Sequence, residues 1–150
     1  MSTTTAVGID LARRQDYAAA VHLVAVDGHG WKVARAEQIP HTAEYAVLAA
    51  YAAALADRGA TVAVDATGVG APVLEDARSR TDAPVWGVTI HGGRKARQTG
   101  RFDLSLPKSG LIAHGRRLLD SGELVIPHVP GADLLISQLA QLAPIRRRGR

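Results

Sequence analysis

The stretch VAVDATGVGAPVLED, from Val62 to Asp76, decides how the chain is read. An apolar run ends in Asp65, a glycine-rich turn follows at once, and Pro72 then stands in the first turn of a helix expected from about Ala71 to Arg80. A fully apolar run of this length is what the middle of a parallel sheet requires, because both of its faces are covered. Gly68 and Gly70 permit a tight turn and a close backbone approach. Thr67 offers a hydroxyl beside the acid, and the backbone N–H groups that open the next helix could face a phosphate.

The same punctuation occurs near the start, in AVGIDLARRQD from Ala6 to Asp16, where Asp10 ends another apolar run. Between the two, YAAAVHLVAV (Tyr17–Val26) and WKVARAEQI (Trp31–Ile39) read as strands joined by the turn Asp27–Gly30. The second of these alternates apolar and polar residues, as an edge strand with one wet face would. TAEYAVLAAYAAALADRG then reads as a helix, with Thr42 as N-cap, Gly59 just past the end, and Tyr45, Leu48, Tyr51 and Leu55 at helical spacing. APVWGVTI (Ala83–Ile90) is a further buried strand. The polar, basic run from His91 to Leu106 reads as a loop. Pro107 opens a helix ending near Gly122, ELVIP is a short extended piece, and Gly131–Ala143 is a last helix closed by Pro144. A three-strand antiparallel meander followed by βα units predicts a mixed α/β sheet flanked by helices. Ribonuclease H-like nucleases and actin-like ATPases both begin this way.

In such a topology the first and fourth strands lie side by side and parallel, so Asp10 and Asp65 come together at the carboxyl edge, where open α/β sheets bind ligands. Two adjacent carboxylates repel unless a cation lies between them. The chain has no cysteine, so oxygen ligands or histidine must serve, and Mg²⁺ or Mn²⁺ suits them. Asp16, six residues past Asp10, either reaches the same site or is a turn residue. His91, at the end of the fifth strand, is a candidate accessory group, with a surface histidine as the plainer reading.

The 150 residues suit one domain, and 47% of them are hydrophobic but only 4% aromatic, so the core must be built from Val, Leu, Ile and Ala. The net charge is +4 and the pI about 10.0, which favours a polyanionic partner. The excess is concentrated: Arg94, Lys95, Arg97, Arg101, Lys108, Arg116 and Arg117 are set against Asp103 alone between His91 and Arg117, and the chain ends in IRRRGR. Of these, Arg94, Lys95, Arg97, Arg101 and Lys108 are the candidate nucleic-acid contacts. No signal peptide or apolar span is visible, so a cytoplasmic location is expected.

The segments VGIDLARRQDYAAAVHL, VAVDATGVGAPVLEDA, VWGVTIHGG and LPKSGLIAHGRRLLDSGELVIP, in this order, resemble the nuclease domain of the large terminase subunit of tailed bacteriophages. The resemblance implies a ribonuclease H-like fold, two divalent metal ions, and cleavage of double-stranded DNA during genome packaging in an infected or prophage-carrying bacterium. It implies Asp10 and Asp65 as metal-binding acids and Asp16 as an often acidic position beside the first. It also implies a packaging ATPase motor, a small subunit or a portal as partners. No GKT or GKS motif is present, so the chain by itself is not expected to be a motor. In the family a third acid usually follows in a segment like HDD that leads into an alanine-rich helix, whereas no acid occurs here after Asp133. The expectation is thus a single nuclease domain over residues 1–150, with the presence of its C-terminal helix left open. A nuclease-fold module that binds DNA or a packaging partner without cutting, and an actin-like ATPase lobe, are the alternatives.

Overall fold

A computed structural model describes residues 3–11, 18–28, 30–40 and 44–142. Their strands are β1 (Thr5–Asp10), β2 (Ala18–Val26), β3 (Gly30–Ile39), β4 (Thr61–Asp65), β5 (Val85–His91), β6 (Arg97–Gly100), β7 (Asp103–Pro107) and β8 (Leu124–Val125). The helices are α1 (Tyr45–Asp57), α2 (Gly70–Ser79), α3 (Lys108–Asp120) and α4 (Ala132–Gln141). The strands form one mixed sheet in the order β6-β7-β5-β4-β1-β2-β3-β8. β1, β2 and β3 are the antiparallel meander, and β4, β5 and β7 run parallel to β1. The expected mixed sheet is therefore the observed one.

Three local expectations change. The basic run after His91 is not all loop: it forms the hairpin β6–β7, with an irregularity between Gln98 and Gly100. Its polar residues gave no alternating apolar signal because β6 is an edge strand, exposed along most of its length. β3 is not a free edge throughout, since Trp31 and Lys32 pair with Leu124 and Val125 of β8. Glu44, without a side-chain cap bond, stands at the N-cap position of α1, and Thr42 lies outside the described residues.

The core lies between the sheet and helices α1 and α2. Val7, Ile9, Val62, Val64 and Val85 point into it from the strands, and Leu48, Ala49, Ala52, Ala56, Val73, Leu74 and Ala77 meet them from the helices. On α1 the alanines and Leu48 occupy the centre, whereas Tyr45, from the same tyrosine-leucine stripe, is exposed. A methyl side chain lets the helix axis approach the sheet closely, while the larger Tyr51 and Leu55 pack at the margin. Gly59 ends the helix with φ 88°, in the left-handed region that a C′ glycine tolerates. Among the described residues, α4 packs on β3 on the second face of the sheet, and α3 touches β7 and β8. α4 approaches so closely that a Cβ on Gly131 would lie 1.9 Å from the Ala36 carbonyl oxygen.

Two polar clusters fasten the periphery. Arg78 of α2 donates from Nε and Nη2 to the Val85 carbonyl at 3.1 and 3.0 Å, and from Nη2 to the Phe102 carbonyl at 3.0 Å and to Asp103 Oδ1 at 2.9 Å. One guanidinium thus ties α2 to the start of β5 and to the β6–β7 hairpin. On the other flank, Tyr51 donates its hydroxyl to Glu37 Oε2 at 2.8 Å. His22 Nε2 lies 3.1 Å from the same carboxylate oxygen and 2.8 Å from the tyrosine oxygen. With the hydroxyl committed to the carboxylate, the imidazole must carry its proton on Nε2 and donate to both. Burial raises the Glu37 carboxyl, but the hydrogen bonds from Tyr51 and His22 and the charge of Arg35 outweigh it, and the net shift is downward. Burial first, and then Glu37, push the Tyr51 hydroxyl up to about 12.

Candidate metal centre and basic cleft

β1 and β4 pair in parallel with Ile9 opposite Val64, so the next residue of each strand, Asp10 and Asp65, completes the row. Alternation along the strands turns Val7, Ile9, Val62 and Val64 into the helical core and Gly8, Asp10, Ala63 and Asp65 toward the other face. That face is open here: Gly8 and Asp10 are exposed, and a Cβ on Gly8 would meet nothing within 4 Å. The Asp10 carboxyl is raised above the usual carboxylate range. Partial burial contributes most, followed by the negative charge of Asp65 and a hydrogen bond shared with it, against a lowering bond from the Leu11 backbone. Two carboxyl groups therefore stand side by side at the carboxyl ends of adjacent parallel strands, near enough to repel each other.

The glycine turn holds one of them still. Thr67 N–H donates to Asp65 Oδ1 at 2.9 Å, closing an Asx turn. The Thr67 hydroxyl does not face the acids. It accepts from the Ile90 amide at 2.9 Å, and Ala66 N–H donates to the Val88 carbonyl at 2.8 Å, so the turn is stitched to β5. Gly68 takes φ 67°. Gly70, the first residue of α2, sits so close to the end of β4 that an added Cβ would lie 1.8 Å from the Asp65 carbonyl oxygen. Any side chain there would push the helix away from the acid.

As a donor set for a divalent cation, the pair fits in kind. Both groups are oxygen donors, they lie together at an open edge, and their mutual repulsion is what a cation relieves. Asp65 keeps Oδ2 clear of the amide bond held by Oδ1. The set is small, however: no group of three or more histidine, aspartate or glutamate side chains placed to hold a metal occurs among the described residues. Asp16 lies outside them.

His91 reaches the same sheet edge but is otherwise engaged. Gly93 N–H donates to its Nδ1 at 2.9 Å, and its Nε2 lies 3.1 Å from the Lys95 carbonyl, so the ring braces its own loop. It also belongs to the opposite face. Asp65 pairs with Val88, while Thr89 pairs with Ser105 and His91 follows Thr89 by two residues. The face of Gly87, Thr89 and His91 is the α2 face, where Gly87 backs onto Leu74.

On that side, His91, Gly93, Arg94, Lys95, Arg97, Thr99 and Ser105 line a cleft of about 420 Å³. Arg94, Lys95 and Arg97 form no ion pair among the described residues. The nearby Asp103 is taken by Arg78. Arg101 lies over the Phe102 ring, 5.2 Å from its centroid. Lys108 is the exposed first residue of α3, at the carboxyl end of β7. Arg94, Lys95 and Arg97 thus converge as the basic run suggested, but on the face away from the carboxylates. Thr99 and Ser105 join them through the hairpin, which gave no local signal in the sequence. Arg78 and the Tyr51–Glu37–His22 cluster were equally hidden, because their partners are distant in the chain.

A mixed sheet of eight described strands in this order, flanked by four helices, is a ribonuclease H-like fold. Among solved structures the chain is similar to the human cytomegalovirus terminase nuclease domain soaked with Mn, at 13% identity and a TM-score of 0.60, covering 96% of this chain and 75% of that one. The inhibitor-bound, Mn-soaked form of the same domain matches at 14% identity and 0.59, covering 94% and 76%. The large terminase nuclease of thermophilic phage G20c matches at 20% identity and 0.55, covering 84% of this chain and 59% of that one. The fold is that of terminase nuclease domains. No protein-family model matches the chain, and no curated protein sequence does. Among the described residues no helix is long and apolar enough to cross a membrane.

Proposed function

We propose that this chain is a metal-dependent DNA endonuclease domain of the terminase type, with Asp10 and Asp65 as its metal-binding acids. The observation that carries the reading is the placement of two mutually repelling carboxylates on adjacent parallel strands, at an open sheet edge, within a fold shared with terminase nucleases. That the cytomegalovirus domain was soaked with Mn supports a divalent ion, Mg²⁺ or Mn²⁺, as cofactor. A pair of ions, when bound, would supply the Lewis acidity and the activated water for phosphodiester hydrolysis.

The remaining work falls to residues of the chain. Asp65, held through Oδ1 by the Thr67 amide, leaves its other carboxylate oxygen for a cation. Asp10, exposed and repelled by its neighbour, gains most from a cation. The exposed cations of the β5–β7 region and Lys108 would hold the DNA backbone without reading bases, so binding should fall steeply with salt. In a packaging assembly a motor subunit and a portal would be the partners.

A second reading, DNA binding without cutting, is favoured by the absence of a three-ligand cluster among the described residues. Nicking of supercoiled plasmid with Mn²⁺ or Mg²⁺ separates the two. Metal-dependent nicking lost in Asp65→Asn is the expected result, and nicking that survives this substitution would remove the assigned site.

A further inference from the structure

We propose that the cleft formed by Arg94, Lys95, Arg97, Thr99 and Ser105 binds a phosphate group of nucleic acid at a point separate from the acid pair, on the opposite face of the sheet. The inference deepens the nuclease reading and rests on it for the identity of the polyanion. Three observations carry it. The cleft is concave, about 420 Å³, where a sliding electrostatic track would need only a convex or flat surface. It gathers three cations that no carboxylate among the described residues neutralises, while Asp103, the one acid of the hairpin, is withdrawn by Arg78. Two hydroxyl groups, Thr99 and Ser105, stand among those cations on paired strands. Guanidinium, ammonium and hydroxyl donors around one concavity are the donor set that phosphate oxygens take.

The sheet register separates this cleft from the acids. Ser105 pairs with Thr89, which faces away from Asp65 and Val88. A phosphate in the cleft is therefore not the one facing Asp10 and Asp65. The chain would hold nucleic acid at two points, one on each face of the sheet near the carboxyl end of β5. The shared chemistry is a phosphate group, either the terminal monoester of a DNA end or an internal diester of the backbone.

The test uses the full chain without divalent metal and fluorescence anisotropy with two labelled duplexes that differ only in a 5′-phosphate. Inorganic phosphate serves as competitor. Arg94→Gln with Arg97→Gln should weaken DNA binding and lower the slope of log affinity against log salt by about 0.9, the value for one lost phosphate contact. Ser105→Ala with Thr99→Ala should weaken binding severalfold and leave that slope unchanged, which a merely charged surface would not do. Preference for the phosphorylated duplex, with competition by inorganic phosphate, assigns the terminal monoester; equal binding of the two duplexes assigns the internal diester. These side chains are exposed or line the cleft, so unchanged thermal unfolding serves as the folding control. Unchanged affinity and slope in the arginine pair would overturn the proposal, as would hydroxyl variants that bind like wild type. Asp10→Asn with Asp65→Asn keeps the two readings apart. If wild type never cleaves yet the arginine pair loses binding, the nuclease reading fails and the cleft stands. If cleavage depends on the acids while the arginine pair binds normally, the cleft fails alone.

Discussion

Gly70→Ala is the sharpest test of how the glycine turn supports the acid site. The new Cβ would lie 1.8 Å from the carbonyl oxygen of Asp65, 2.8 Å from its carbonyl carbon and 3.6 Å from Leu11 Cδ1. It falls more than 1 Å short of the 3.0 Å that real Cβ contacts respect. Because the obstacle is backbone, no side chain can rotate out of the way. Either the start of α2 moves off β4 or the end of β4 shifts. Overpacking that side chains can absorb costs about 1–3 kcal/mol, so a cost near the upper end, about 3 kcal/mol, is expected. For a chain of this size that lowers Tm by roughly 6–12 °C. The matched control is Gly8→Ala, whose Cβ meets nothing within 4 Å and whose φ is not positive. It should be neutral or stabilising by up to about 1 kcal/mol. Thermal and urea unfolding followed by circular dichroism measure both. The same displacement disturbs Asp65, so Gly70→Ala should also lose much of any stabilisation by Mn²⁺. A Gly70→Ala protein within 1 kcal/mol of wild type would refute the close-approach argument.

Other outcomes follow from the same geometry. Mn²⁺ at about a hundred times its Kd should stabilise wild type by about 2.7 kcal/mol and leave Asp10→Asn unmoved; an equal shift in the variant places the ion elsewhere. In metal-free buffer Asp10→Asn should be the more stable protein near neutral pH. The folded Asp10 carboxyl is raised by burial and by Asp65, so wild type carries a penalty that is absent below the unfolded carboxylate pKa and complete above the raised folded value. Unfolding titrations that show wild type gaining stability across that window would contradict it. Glu37 behaves oppositely: its carboxyl is lowered by Tyr51, His22 and Arg35 against burial, so its contribution is present above the unfolded value and lost as pH falls through the folded one. Tyr51→Phe should cost about 1 kcal/mol at neutral pH and flatten that acid limb. Arg78→Lys should lose about 2 kcal/mol, because an ammonium cannot reproduce donation to two carbonyls and a carboxylate. Hydrogen exchange should then find the β6–β7 hairpin less protected, and unchanged exchange there would show that Arg78 does not anchor it.

Local chemistry alone places the central strands of the sheet and the acid pair. Apolar runs such as Val62–Val64, each closed by an aspartate and a turn, are governed by local chemistry: period, length and glycine placement. Pairing of the first strand with the fourth followed from the order of elements, and Asp10 beside Asp65 followed from that pairing. Tertiary structure alone decided which face each group occupies. The basic residues after His91 were legible as a charged run, yet only the pairing of Thr89 with Ser105 puts their cleft on the side away from the carboxylates. The hairpin itself was invisible because an edge strand of Arg, Gln, Thr and Gly buries nothing and so shows no period. The alanine side of α1 displaced its tyrosines from the core because close approach to the sheet rewards small side chains, a preference that helical spacing does not encode. Arg78 and the Tyr51–Glu37–His22 cluster depend on partners between 7 and 29 residues away. Hydrogen bonds over such separations exist only once the chain has folded, and no window of sequence contains them.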